Sequence, residues 1–372
     1  MMYKRGIVLK SISRILLVLV TGLLISGCAA KATIQKIKPA EITVGNIQTL
    51  GILKFGGPYG ETVRSDFYAK LAEVEHFKLI DPGKALALDK VVYDQIDDPR
   101  FLPALENLHA DGVVTGMVTA SVNDISGTDQ VPMEEGTGRY RKKKNIFGKW
   151  VDVEIKRTVL KPVPYIIRQG SLTAHFKLFN LGTKQIVATG KVTETYNEKF
   201  GGNEEQSFFG DKLSGLPTKD ATINNLSKKV AKELVSKISP TKIATTIRFD
   251  KGGTMGFGGN ETMQRGIEFA TRGLWEDALE LWKEVIKKEP ENAAAYYNIG
   301  VAYENSGDMK SLYAAKDMYK KALKLKDKSF YLDAVARVNN SIKDREKYDQ
   351  QKQQIENVPA KKEDAGGAVR IY

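Results

Sequence analysis

What the chain lacks narrows it first. It has one cysteine, Cys28, in 372 residues, so no disulfide can form within a chain and no thiolate cluster can hold a metal. Histidine is almost as scarce: His76, His109 and His175 are widely separated. None has a second histidine at the helical spacing of a metal-dependent hydrolase, so each is expected to serve structure. A G-x-S-x-G elbow for a nucleophilic serine is missing as well. The carboxylate pairs Glu134-Glu135 and Glu204-Glu205 are neighbours in polar, glycine-containing stretches, whereas glycosidase carboxylates must face one another across a cleft. The stretch 55–62 (FGGPYGET) has the strand–glycine–helix order of a phosphate cradle, but Glu61 stands where a cation is needed. The expectation is a protein without catalytic residues, metal or cofactor.

Acidic residues are absent from the first 27 positions, which carry Lys4, Arg5, Lys10 and Arg14. The apolar runs 15–20 and 23–25 are too short to span a bilayer. With the basic start they read as a secretory signal peptide over residues 1–27. Its end, Ile25-Ser26-Gly27-Cys28, resembles the lipobox of bacterial lipoproteins. That resemblance implies that Cys28 is acylated and becomes the first residue of the mature chain. The protein is then exported to the cell envelope and bound to the membrane through a lipid anchor. Ala29 in the following position implies the outer membrane, on its periplasmic side.

A hydrophobic content of 42% is that of a globular protein, and the length allows two domains with real cores. Without the leader's four cations the formal charge falls from +12 to +8. Ten basic residues against only Asp152 and Glu154 lie between positions 139 and 168, so the remainder is balanced. An exported protein meets no nucleic acid. Its basic cluster, with Arg139, Arg141, Lys142, Lys143 and Lys144 as candidate contacts, either faces anionic envelope surfaces or forms a solvated loop tip.

Patterning divides the chain. Residues 28–45 have no period and read as a tether. Residues 48–55 suit a buried strand, followed by a helix with Val63, Phe67, Leu71 and Val74 on one face. A short strand over 77–80, a helix over 83–91, a helical stretch at 103–109 and a strand over 113–122 follow. Leu172, Ala174, Phe176 and Leu178 alternate strictly, then a turn at 180–184 leads to a strand over 186–196, an antiparallel hairpin. Ile223, Leu226, Val230, Leu234 and Ile238 mark an amphipathic helix, and 243–249 a closing strand. Leu50 to Phe55, the Ala110-Asp111-Gly112-Val113-Val114-Thr115-Gly116 segment and the hairpin 172–192 resemble the curli assembly and transport lipoproteins, whose domain also occurs in activators of peptidoglycan synthases. The turn departs from the family's D-x-x-T-G, reading Asn180-Leu181-Gly182-Thr183. The resemblance implies an α/β (α+β) domain over 46–250, a mixed sheet flanked by helices. In that family two hairpins per subunit build a pore; the corresponding insertions here, 123–170 and 197–217, lack a sustained lipid-facing alternation.

Glycines at 252, 253, 256, 258 and 259 mark a linker over 251–260. Beyond it Gly266, Phe269, Gly273, Ala278, Trp282 and Pro290 fit the tetratricopeptide pattern, in which small and aromatic residues let paired helices approach and stack. Gly300, Tyr303 and Gly307 repeat the first three 34 residues later. Ala315, Tyr319 and Ala322 follow after an insertion near 308–311. The resemblance implies an all-α repeat domain with a capping helix over 261–343, and its groove would expose Asn260, Met263, Ile267, Ala270, Ala294, Tyr297, Val301 and Glu304 to a protein partner. Of the Lys/Asn clamp that grips a carboxylate in chaperone-binding relatives, Asn298 alone is present. Residues 344–372 read as a charged, disordered tail. The function expected is a non-enzymatic envelope scaffold or assembly factor. A subunit of a homo-oligomeric, curli-type secretion channel is the alternative, and a cell-wall glycan enzyme comes third.

Overall fold

A computed structural model of the chain describes residues 30–81, 93–204, 215–253 and 260–356. Cys28, the leader and the helix expected at 83–91 lie outside them. A mixed α/β region is followed by a helical repeat region. The described residues divide into two compact units: one from residues 40–241 with 351–356, the other from residues 30–39 with 242–350. Among the described residues no helix is long and apolar enough to cross a membrane.

The α/β unit is built on β2 (Thr49–Gly56), β3 (Lys78–Ile80), β4 (Gly112–Lys144), β5 (Trp150–Asn180) and β6 (Gln185–Gly201), in the order β3-β2-β4-β5-β6. β2 runs parallel to β3 and β4, while β4–β5 and β5–β6 are antiparallel. Strand alternation sends Ile52, Val114, Leu172, Ala174, Phe176 and Leu178 into a core with α1 (Gly60–Val74) and the helix over Lys219–Ile238. Leu53, Val113 and Phe179 point the other way and pack with Leu105 of α2 (Leu102–Glu106) and Ile96. The long helix, α3, is capped by Thr218, whose side chain accepts from Ala221 N at 3.1 Å. The glycines before α1 serve a tight turn: a Cβ on Gly57 would lie 2.1 Å from the Val118 carbonyl oxygen, and one on Gly60 2.1 Å from that of Phe55.

The strands expected to end near 122 and to begin near 172 are longer than that: they run on through the insertion 123–170 as one hairpin. β4 and β5 stay paired from Gly112↔Asn180 to Lys144↔Trp150, with one irregularity between Gly136 and Tyr140. β6 accompanies β5 only to Tyr165↔Gly201, so beyond it the hairpin is a two-stranded ribbon. Each of its strands has an open edge, which tolerates Pro132, Pro162 and Pro164. Charged cross-strand partners also support the pairing: Lys156–Glu134 at 3.0 Å and Arg157–Glu135 at 3.1 Å. Arg168 is not part of the solvated cluster; it is buried and grips Asp124 through two 2.7 Å hydrogen bonds.

The helical unit comprises β1 (Lys31–Lys38) paired with β7 (Thr241–Arg248), then α4 (Glu261–Thr271), α5 (Trp275–Lys288), α6 (Ala293–Ser306), α7 (Met309–Leu325) and α8 (Ser329–Glu356) as far as residue 350, its end from Gln351 belonging with Ala40 to the α/β unit. Asn260, Asn292 and Asp308 cap α4, α6 and α7 with side-chain oxygens, and Gly307 ends α6 at φ 71°. Three sequence expectations change here. Residues 31–38 are a strand rather than part of a tether, because Ile34 is buried in the helical core. The closing strand β7 pairs with β1 and not with the five-stranded sheet. The chain from 344 is helical to Glu356, supported by the Arg345–Asp349 pair at 3.0 Å and by Gln351, whose amide exchanges two hydrogen bonds with the Ala40 main chain.

Candidate functional site

The repeat residues meet as the helical spacing requires. Trp282 is fully buried against Gly266, where a Cβ would stand 2.4 Å from the indole Nε1. Tyr319 closes on Gly300 in the same way, at 2.6 Å. Indole and phenol rings thus occupy the space vacated by the two glycines, and α4–α5 and α6–α7 become close antiparallel pairs.

The groove expected to receive a partner is filled by the chain itself. Met263, Ile267, Ala270, Ala294, Tyr297, Val301 and Glu304 are all buried. All but Glu304 share one hydrophobic core with Ile34 of β1, with Ile247 of β7 and with Phe249 just beyond it. Asn260 is committed to the cap of α4 and also donates to Glu289 at 2.7 Å. The expectation of an exposed groove is therefore corrected: apolar residues of both repeats are covered by the β1–β7 ribbon, which removes them from water.

Polar contacts fix that ribbon. The Asn298 side chain donates to the Asp250 carbonyl at 2.9 Å and accepts from Asp250 N at 3.0 Å, so the one residue of the peptide clamp grips the chain's own backbone. Tyr297 donates to the Arg248 carbonyl at 2.9 Å. Asp250 accepts from Tyr331 at 2.6 Å and pairs with Lys328. Glu304, wholly buried, accepts from Tyr319 at 2.6 Å, pairs with Arg337 at 2.9 Å and with Lys36 of β1 at 2.7 Å. Burial alone would raise the Glu304 carboxyl, but Arg337 and Lys36 outweigh it and hold its pKa below the ordinary value. Burial lowers the Lys36 pKa despite that carboxylate. Tyr297 is pushed up to about 12 by burial. These groups are neutralised by one another. The arrangement acts as a structural lock and offers no free acid or base.

The second candidate, the basic cluster, lies at the far end of the β4–β5 ribbon. Arg139, Arg141, Lys142, Lys143 and Lys144 are all exposed, and the chain turns at 145–149 through Asn145, whose Oδ1 accepts from Phe147 N and Lys149 N at 3.0 Å. Among the described residues no group of three or more His, Cys, Asp or Glu side chains could hold a metal. His76 packs edge-on to Phe77 at 4.6 Å, and burial lowers its pKa.

Residues 266–307 match the TPR repeat family. No curated protein matches the chain. Among solved structures, the chain is similar to the PelC dodecamer from Paraburkholderia phytofirmans, with 11% identity, 56% of this chain and 97% of that chain covered, and a TM-score of 0.23. It is also similar to lipoprotein GNA1162 from Neisseria meningitidis, with 9% identity, coverage of 50% and 98%, and a TM-score of 0.26.

Proposed function

We propose that this chain is a non-enzymatic cell-envelope lipoprotein, exported and anchored through an acylated Cys28, that serves as a scaffold for a protein partner through its helical unit. The TPR repeat match, with Trp282 and Tyr319 seated on Gly266 and Gly300, carries the scaffold reading. Because β1 and β7 cover the groove, the partner meets the outer helices, where Tyr313 of α7 and Leu332 of α8 are exposed. Photo-crosslinking side chains placed at Tyr313 and Leu332 in intact cells should trap a partner, whereas one at Val301 should trap none. Crosslinks from Val301 alone would return the binding site to the groove. The anchor is tested by fatty-acid labelling: Cys28→Ser should abolish the label, and a labelled serine variant would rule the anchor out.

The length of the β4–β5 ribbon favours a second reading, a subunit of a homo-oligomeric channel whose hairpins enter the membrane. Against it, Arg157 and Lys161 alternate onto the face of Val151, Val153 and Ile155, and both pair there with Glu135. Ion pairs on a lipid-facing row are unfavourable.

A further inference from the structure

We propose that the tip of the β4–β5 ribbon docks on an anionic lipid bilayer, its turn entering the headgroup layer and its cations contacting lipid phosphates. Two observations coincide at this tip. The first is apolar exposure concentrated at the end of the ribbon: Ile146 is 93% exposed, Phe147 81%, and Tyr140 and Trp150 65% each. The Asn145 side chain ties down the backbone on both sides of the turn, so Ile146 and Phe147 are presented by an ordered loop. Isolated apolar residues on a surface are ordinary, whereas an apolar cluster marks an interaction site.

The second observation is where charge is left unmatched. Lower on the ribbon, Lys156, Arg157 and Lys161 are each paired with Glu134 or Glu135. At the tip, Arg139, Arg141, Lys142, Lys143, Lys144 and Lys149 form no ion pair among the described residues, and Lys144 lies over the Trp150 ring at 5.3 Å. Glu154, one of two nearby acids, accepts instead from Gly138 N at 3.0 Å. Register places Lys143 and Arg141 opposite Val151 and Val153, and Lys144 opposite Trp150. Cations therefore flank the apolar row. Aromatic rings at headgroup depth beside lysine and arginine are the pattern of a membrane interface. Basic residues near an anionic surface add attraction that multiplies with their number.

The test uses the full chain with Cys28→Ser, so that no acyl group contributes, and measures co-sedimentation with vesicles. The leader is basic and itself favours anionic lipid, but it is common to every variant, so differences between variants in the same vesicles report on the tip. Binding should be at least about tenfold stronger to equimolar phosphatidylglycerol and phosphatidylcholine than to phosphatidylcholine alone. Charge reversal at Lys142, Lys143 and Lys144, and separately Phe147→Asp, should each remove most of that difference, and Trp150 fluorescence should shift to the blue on binding, a shift absent in Trp150→Phe. Reversal of Lys228, Lys229 and Lys232 on α3 alters net charge equally and should leave binding unchanged. An equal loss in the α3 variant would reduce the effect to net charge and overturn the proposal, as would tip variants that bind like the parent. Circular dichroism of each variant confirms that the fold is retained, and the Phe147→Asp result, at an exposed side chain, stands independently of the charge reversals.

Discussion

Lys36 on β1 reaches Glu304 on α6 at 2.7 Å, and the carboxylate it meets is fully buried. Arg337 and Tyr319 bind the same carboxylate, so one acid ties the ribbon, the second repeat's helices and the capping helix together. Removing one member of a buried pair leaves the others uncompensated. Glu304→Gln should therefore destabilise the helical unit by about 3–5 kcal/mol, read by urea unfolding followed through Trp275 and Trp282. The pH dependence follows from the direction of the shifts. Glu304 and Asp250 both titrate lower in the folded chain, Glu304 because Arg337 and Lys36 outweigh burial and Asp250 because Lys328 and Tyr331 do. Their stabilisation is present above the ordinary values of 4.5 and 3.8 and is lost as pH falls through the folded values. Lys36, depressed by burial, acts only on the alkaline side. Unfolding midpoints should hold from neutral pH to about 5 and decline below it, and Glu304→Gln should flatten that decline. An acid limb unchanged by the substitution would show that the stabilisation comes from elsewhere.

The ribbon also alters where the chain can be cut. A break within 251–260 separates β1 and β7 from the helices whose apolar faces they cover. Residues 260–350 alone would expose Met263, Ile267, Val301 and Tyr297 to water, and their melting midpoint should fall by at least about 10 °C relative to the helical unit in the full chain. Trp282 fluorescence follows both. Equal midpoints would mean that the ribbon contributes nothing to the fold.

Shape complementarity inside the repeat makes a sharper forecast. Trp282→Ala should cost about 3–5 kcal/mol, as expected for a large aromatic removed from a packed core. Gly266→Ala forces a methyl group against the indole Nε1 and should cost about 1–3 kcal/mol. The smaller ring in Gly266→Ala, Trp282→Phe should recover part of that loss, a coupling that a double-mutant cycle measures directly. Strict additivity would disprove the contact.

The repeat is legible in the sequence because its signal is dense: Gly266, Phe269 and Gly273 return as Gly300, Tyr303 and Gly307 at a constant offset, and helix packing demands small and aromatic residues at those places. The central hairpin is legible for a similar reason, through the alternation of Leu172 to Leu178. β1 is not. Its inward row is Ala32, Ile34 and Lys36, and a half-buried lysine reads as polar until its partner Glu304, distant in sequence, is in place. Glu304 itself falls on an open groove by its repeat offset, because such offsets specify which face a residue occupies and not what covers it. The ribbon beyond residue 122 is hidden for a third reason. Charged residues such as Arg157, paired with Glu135, and Lys161 interrupt the alternating apolar row of β5, so its hydrophobic period is broken before it reads as a long strand.

Scaffold and channel part company at the ribbon. A membrane strand needs about 9–11 residues with lipid-facing apolar alternation. On β5 the row Val151, Val153 and Ile155 continues through Val159 and Val163 but is interrupted by Arg157 and Lys161. Their pairing with Glu135 at 3.1 and 3.3 Å softens the charge without removing it, and those side chains are largely exposed to solvent, where ion pairs contribute little. Each uncompensated lysine or arginine at mid-bilayer depth would cost about 2–4 kcal/mol, and a ring of subunits repeats that cost in every copy. The most exposed large apolar side chains among the described residues, Ile146 and Phe147, stand at the tip, as membrane contact there favours. Reconstituting the acylated protein in planar bilayers should accordingly give no discrete conductance. Substituting both Arg157 and Lys161 by leucine removes the interruption and should increase partitioning into bilayers. Stable single-channel steps from the unaltered chain, lost on deletion of residues 138–148, would replace the scaffold with the channel.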